Sequence, residues 1–276
     1  MITLITGTST GIGAAAAVAL ATDGHEVIAT MRDTAKASAL QEAAAAAGVT
    51  VTIDELDVTD DASVLASVER TEAAHGPIEV LINNAGAARV GTLEQVSDDE
   101  LAACMDLNFT GAVRTMRAVI PGMRERGAGR IVNVTSVGGI VGQPFNDAYC
   151  AAKFALEGLS ESLAPVLRTF GVHVSVLEPG PVATEFVATA GRTIGASLVD
   201  PDDPYAALFA NYLSRTGATF EGAQTPQQVA EVLVAMVQDP APRLRYLTSP
   251  EATAFVSPKL ADPTGEAVVG MTSTWI

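Results

Sequence analysis

The chain has 276 residues, 48% hydrophobic and 17% charged, with a formal net charge of -16. That is enough for a sizeable buried core and too apolar for a disordered chain. The negative charge repels phosphate backbones and anionic headgroups, which argues against nucleic-acid binding and electrostatic membrane docking.

The first apolar stretch, MITLITG, starts the chain without a basic region ahead of a long apolar one, so no signal peptide is expected. No run approaches the roughly 18 apolar residues of a membrane span. Cys104 and Cys150 are the two cysteines, with no CxxC and no His/Cys cluster. Neither a disulfide framework nor a metal site is expected, and a reducing, cytoplasmic setting suits them.

Short β-branched runs alternate with longer alanine- and leucine-rich segments, the pattern of βα units around a parallel sheet. Strands are expected near residues 2–6, 26–31, 50–56, 79–83, 130–135, 172–178 and 244–248. Helices are expected near 12–23, 35–47, 61–75, 98–125, 147–169 and 226–238.

The first strand runs into TGTSTGIG, with Gly7, Ser9, Thr10, Gly11, Ile12 and Gly13 entering an alanine-rich helix. Glycines there let a pyrophosphate approach the backbone, and the helix N-terminus offers free N–H groups and partial positive charge. The second strand ends at Met31 and is followed by Arg32. An arginine at this point accommodates a ribose 2′-phosphate, whereas a carboxylate would select a free hydroxyl. NADP(H) is therefore expected over NAD(H), with Thr10 as a second phosphate contact. Past the third strand, Asp57 and Val58 stand where an adenine amino group would be bound. Asp57 could equally be a helix cap. Asn83, Asn84, Ala85 and Gly86 close the fourth strand at the same sheet edge, where an open α/β sheet binds its ligand.

Ser136 follows the fifth strand, IVNVTS, and Tyr149 and Lys153 follow at the start of a helix. Tyrosine and lysine four residues apart share a helix face, and the ammonium favours the phenolate. The pairing is unusual in a chain with four tyrosines and only Lys36, Lys153 and Lys259 as lysines. Ser136 can donate to the oxygen on which charge develops. Asn146 or Asp147 is expected to cap this helix. The walls of a substrate pocket are expected from the loop 137–145, with Val137, Gln143 and Phe145, and from residues 182–190 and 205–220, both within the stretch 181–225. The latter stretch is read as an irregular lid carrying Phe186, Tyr205 and Phe209, and residues 250–276 as an extension of no assigned structure.

TGTSTGIG, LDVTD, NNAG, LNFTG with Asn108, Ser136, YCAAK and PGPVAT, in this order, resemble the classical short-chain dehydrogenase/reductase family from residue 1 to about 248. The segments SVGGIVGQPFNDAYCAAKFALEGLSESLA, FGVHVSVLEPGPV and RYLTSPE are similar to its branch of 17β-hydroxysteroid and photoreceptor retinol dehydrogenases. The resemblance implies one α/β domain over residues 1–276, a Rossmann fold with a doubly wound, parallel, seven-stranded sheet and a lid insertion. It implies that Asn108 holds a water in a proton relay and that Lys153 also holds the nicotinamide ribose. It implies too that Pro179, Gly180, Val182 and Thr184 contact the carboxamide and pyrophosphate. The branch implies a lipophilic alcohol or ketone, a 17β-hydroxysteroid first and a retinol or general carbonyl substrate next, in a homodimer or homotetramer.

Overall fold

The computed structural model describes the backbone of residues 1–184, 200–220, 222–262, 264 and 266–275. Seven strands form one parallel sheet: β1 (Ile2–Thr6), β2 (Glu26–Met31), β3 (Thr52–Glu55), β4 (Val80–Asn83), β5 (Gly129–Val134), β6 (Val172–Glu178) and β7 (Arg245–Leu247). Their spatial order is β3-β2-β1-β4-β5-β6-β7. The order reverses between β1 and β4, and a crevice opens there at the carboxyl ends of the strands.

Alternate strand residues supply two separate cores because successive side chains point to opposite faces. Ile5, Val27, Ala29, Val80, Ile82, Val132 and Leu177 meet α1 (Gly11–Thr22) and the helix Pro226–Gln238 on one face. Leu4, Ile28, Leu81, Ile131 and Val174 meet Met116, Met123, Leu156 and Leu167 on the other. Ala16 and Ala17 are fully buried, and their small side chains let α1 lie close to that helix.

The other described helices are α2 (Ser38–Ala46), α3 (Asp61–His75), α4 (Asp98–Met105), α5 (Gly111–Arg126), α6 (Asp147–Arg168), α7 (Ala206–Phe220), α8 (Pro226–Gln238), α9 (Pro250–Ala261) and α10 (Glu266–Ser273). The helix expected over 98–125 is thus two helices. Between them Asp106–Thr110 forms a π-helical turn, a wider winding that is common at functional sites. The irregular lid expected over 181–225 contains a regular helix, α7, after Asp200, and the unassigned extension is α9 and α10. Pro201 and Pro204 precede α7, and Pro250 opens α9, so these prolines mark helix starts, where a missing N–H costs nothing. Among the described residues, no helix is long and apolar enough to cross a membrane.

Candidate active site

The crevice between β1 and β4 is lined by the turn 7–13. Gly7 has φ +71°, and a Cβ there would lie 2.7 Å from Ala85 Cα; a Cβ on Gly13 would overlap the Gly7 carbonyl. Asn84 locks this turn: its Nδ2 donates to the Thr6 carbonyl over 3.0 Å and to the Gly7 carbonyl over 2.8 Å. Thr6 Oγ1 in turn accepts from the backbone N–H groups of Asn84 and Ala85. Thr6 is a residue that sequence reasoning read only as the end of a strand. Thr10 is the N-cap of α1, yet its side chain makes no capping bond, and Ser9 and Thr10 stay accessible at the helix start. Ile12 packs against the core behind them. The bare backbone, the free helix terminus and the absence of acidic residues in the first turn of α1 fit a pyrophosphate.

Arg32 is exposed at the end of β2, and its charge reaches Asp57. The pairing of Arg32 with Asp33 that would make it an ordinary surface ion is not what forms. Asp33 instead caps the turn at Ala35 and lies 3.6 Å from Lys36. Asp57 Oδ1 accepts from the Thr59 N–H (2.9 Å) and Thr59 Oγ1 (2.7 Å). Burial disfavours its charge, but these hydrogen bonds, with the Arg32 and Arg114 charges, hold its pKa below the usual value. The helix cap of α3 is Asp60, not Asp57. Val58 is buried under α5, against the Cβ position of Gly111.

The chain after β6 returns to the same crevice. Pro179 accepts from the Val137 N–H over 3.0 Å, and Gly180 faces Ala252 of α9. Val182 is buried and bridges to Gln224. Thr184 lies over the glycine turn, with Cγ2 3.3 Å from the Cβ position of Gly11. Of these four residues, Thr184 is the one placed against the turn 7–13.

Across the crevice stand Ser136, Tyr149 and Lys153. Ser136 begins a short 3-10 turn and accepts from the Gly138 N–H over 3.0 Å. Its side chain hydrogen-bonds to Tyr149. Lys153 is 4% exposed, donates to the Val134 carbonyl over 3.0 Å and lies 5.7 Å from the centre of the Tyr149 ring. Burial pulls its pKa down to about 8, against the pull of Cys104 and Glu157. The net shift of Tyr149 is nevertheless upward in this structure. Burial pushes Tyr149 above its usual value, and the Ser136 hydrogen bond only tempers the rise. Lys153 gives one of its three donors to Val134 and holds its ammonium over the Tyr149 ring.

Asn108 sits in the π-helical turn and is 2% exposed. Its Nδ2 donates to the carbonyls of Ala87 and Cys104, each over 3.0 Å, and its Oδ1 accepts from the Ala87 N–H over 3.1 Å. The amide thus ties α4 to the strand end beyond Gly86. A Cβ on Gly86 would lie 2.7 Å from Asn108 Oδ1 and 3.5 Å from Lys153 Nζ. Asn108 and Lys153 therefore flank the same point. Cys104 and Cys150 are buried free thiols; burial raises both, Cys150 to about 11, which suits packing rather than reaction. Among the described residues, no group of three or more His, Cys, Asp or Glu side chains could hold a metal.

The pocket walls differ from expectation. Val137 is buried on the Ser136 turn. Gln143 is half-buried, with Nε2 3.4 Å from the Cβ position of Gly138, a point that is also 3.4 Å from Ser136 Oγ. Phe145 has φ +61°, a conformation bulky residues rarely adopt. Its ring packs edge-on to Phe209 (5.1 Å) and against Tyr212 (5.4 Å). Phe209 is 2% exposed, so Phe145 and Phe209 stack behind the wall rather than on it. Tyr205 edges this cluster and donates its hydroxyl to Glu94 over 3.0 Å. Phe186 lies outside the described residues. Neither expected helix cap forms. Asn146 holds the N-cap position of α6 without a side-chain capping bond, and its Nδ2 donates to Pro144 O and the Tyr212 hydroxyl. The Asp147 carboxylate accepts from the Leu93 N–H over 3.0 Å.

Tyr212 falls within the stretch 205–220 expected to wall the pocket, but sequence reasoning gave no role to Trp275, whose ring lies 6.5 Å from Tyr212 and 5.8 Å from Phe255. The sole tryptophan in an otherwise unpatterned segment was the available signal.

A parallel sheet with a glycine turn at its switch point, faced by a serine, a tyrosine and a lysine, is the arrangement of an oxidoreductase. Residues 1–195 match the family described as short chain dehydrogenase. The chain is 42% identical to human 17-beta-hydroxysteroid dehydrogenase type 1, over 97% of this chain and 83% of that one. It is 40% identical to human retinol dehydrogenase 8, over 98% of this chain and 88% of that one. A solved short chain dehydrogenase/reductase from Burkholderia phymatum in complex with NAD superposes with a TM-score of 0.82 at 28% identity, covering 96% and 94% of the two chains. The chain belongs to the short-chain dehydrogenase/reductase family and is an oxidoreductase of it.

Proposed function

We propose that this protein uses NADP(H) to interconvert a secondary alcohol and a ketone on a lipophilic substrate, a 17β-hydroxysteroid before others. The observation that carries the chemistry is the hydrogen bond between Ser136 and Tyr149 beside the buried Lys153 ammonium. Two hydroxyl donors converge where a substrate oxygen would take up charge. In this reading the turn 7–13, Arg32, Asp57, Val58, Asn84, Ala85, Gly86, Pro179, Gly180, Val182 and Thr184 hold the dinucleotide, which supplies or accepts the hydride when bound. Arg32, free of Asp33 and at the end of β2, supports a 2′-phosphate and hence NADP(H) over NAD(H).

Tyr149 passes the proton to or from the substrate oxygen, and Ser136 orients that oxygen and the phenol together. The Lys153 ammonium, with two donors beyond the one given to Val134, favours the Tyr149 phenolate through space and would hold the nicotinamide ribose. Burial raises Tyr149, and the Ser136 hydrogen bond works against that rise. Asn108, through its bonds to Ala87 and Cys104, keeps Gly86 bare beside Lys153 and borders a path for a relayed proton. The likeness to human retinol dehydrogenase 8, as extensive as that to the steroid enzyme, supports a retinol as the second substrate class.

The test is a cofactor-coupled screen of estradiol, testosterone, retinol and simple aryl ketones, with Tyr149→Phe as control. Turnover of estradiol or testosterone with NADP(H), lost in Tyr149→Phe, is the expected result. Failure of every alcohol and ketone rejects the reading, and full activity in Tyr149→Phe rejects the mechanism.

A further inference from the structure

One turn beyond Lys153 on α6 lies Glu157, and beside it Glu178, the last residue of β6. They are 5% and 0% exposed, and nothing in the chemistry above uses them. Glu157 Oε1 accepts from Thr135 Oγ1 over 2.5 Å. Arg245 of β7 places Nη1 3.2 Å from Glu178 Oε1 and 3.2 Å from Glu157 Oε2, and Nη2 2.8 Å from Glu161 Oε2. A single guanidinium nitrogen, Arg245 Nη1, thus serves both buried carboxyl groups. Two buried carboxylates at one nitrogen repel each other, and each can only accept. Drawn as carboxylates, both leave an oxygen without a hydrogen-bond donor, Oε2 of Glu157 and Oε2 of Glu178. One proton between the two groups removes the contradiction.

The pair also touches both sides of the candidate site. Thr135 precedes Ser136, so the Glu157 carboxyl anchors the residue from which the Ser136 turn springs. The turn lies directly on the pair: a Cβ on Gly139 would be 2.9 Å from Glu157 Cγ and 3.2 Å from the Lys153 carbonyl. The charged groups facing the pair are Arg245 from β7 and Glu161 and Lys153 from α6. Glu157 supports the charge on Lys153 through space.

We propose that Glu157 and Glu178 share a single proton at neutral pH, and that the pair is a positioning element that fixes the Ser136 turn through Thr135 and sustains the charge on Lys153. The second half of this rests on the proposed function; the first half does not. Burial and the Glu157 charge push Glu178 above the ordinary carboxyl range, in the direction a shared proton requires.

A carboxyl whose pKa is raised by folding stabilises the protein below the unfolded value, and that stability is lost as pH rises through the folded value. The melting temperature of the wild type should therefore fall from pH 5 upward more steeply than that of Glu178→Gln, which carries its hydrogen permanently. Glu157→Gln keeps a donor to Glu178 but removes the charge near Lys153. Its kcat should decline at lower pH than the wild type's on the alkaline limb, by about half a pH unit or more, with KM unchanged. Parallel melting curves in wild type and Glu178→Gln would overturn the shared proton. An unmoved alkaline limb in Glu157→Gln would overturn the link to Lys153. If either variant does not fold, a carbon-13 NMR titration of glutamate carboxyls in the wild type decides. One carboxyl still protonated at pH 7 is expected, and complete ionisation overturns the proposal. The melting and NMR arms need no substrate, so their outcome is separate from that of the activity screen.

Discussion

Asn146 Nδ2 donates to the Tyr212 hydroxyl over 2.7 Å, which joins the start of the helix bearing Tyr149 to α7. Helix α7 is held from its other side as well. Trp275 packs on Tyr212, and Arg215 Nη2 donates to Thr274 Oγ1 over 2.9 Å. The route from residues 274–275 through Tyr212 to Asn146 and Phe145 is continuous, and it ends three residues before Tyr149.

Tyr212→Phe keeps the ring and deletes the hydrogen bond, a loss of about 1 kcal/mol. The expected outcome is a KM for the lipophilic substrate raised about fivefold, with kcat within about twofold. Trp275→Ala should raise it further, since it removes ring contacts as well. Steady-state kinetics on both variants check this; an unchanged KM in both would assign the cluster to packing alone.

The strands, and the helices flanking β1 and β2, were legible because a two-sided buried sheet writes itself as short β-branched runs between alanine-rich ones. TGTSTGIG and YCAAK were legible because backbone approach and helical spacing each demand particular residues at fixed intervals. The π-helical turn at Asn108 left no mark in the hydrophobic pattern, because one extra residue per turn shifts the period by less than the natural scatter. Helix α7 was hidden by the prolines before it and by Gly217 and Gly222, which read as loop. The Glu157, Glu178 and Arg245 cluster draws on α6, β6 and β7, and only the sheet order brings those three together.

Arg32→Ala should separate the two cofactors. Losing a charge-assisted contact to a 2′-phosphate costs about 1.5–3 kcal/mol, so KM for NADPH is expected to rise roughly 10- to 100-fold. The value for NADH should stay within about twofold, because no phosphate is present to lose its partner. A parallel fall for both cofactors, or none for either, would place Arg32 outside the cofactor site.

Ser136→Ala and Tyr149→Phe should behave as one unit. Each removes one side of their shared hydrogen bond, and each is expected to lower kcat by about 10²-fold or more. The double variant should fall little further than the worse single one, since groups acting together are non-additive. Cofactor affinity, followed by fluorescence titration, should remain near that of the wild type. Multiplicative losses would mean that the two hydroxyls act independently.

Lys153 makes the opposite demands of stability and chemistry. Its ordinary pKa of 10.5 falls to about 8 on burial, a difference worth about 3 kcal/mol against the charged folded state. Between about pH 8 and 10.5 the unfolded chain binds the extra proton, so wild-type stability should rise with pH across that window, while below it the whole cost is present. Lys153→Met fills the same space without the charge but leaves the Val134 carbonyl unpaired, which returns about 1–2 kcal/mol of the gain. The variant should therefore be about 1–2 kcal/mol more stable than wild type at pH 7, and the advantage should disappear near pH 10. Urea denaturation at the two pH values measures it, with activity lost at both. A variant less stable than wild type at pH 7 would mean that the ammonium is solvated or paired well enough in the folded chain to carry no burial cost.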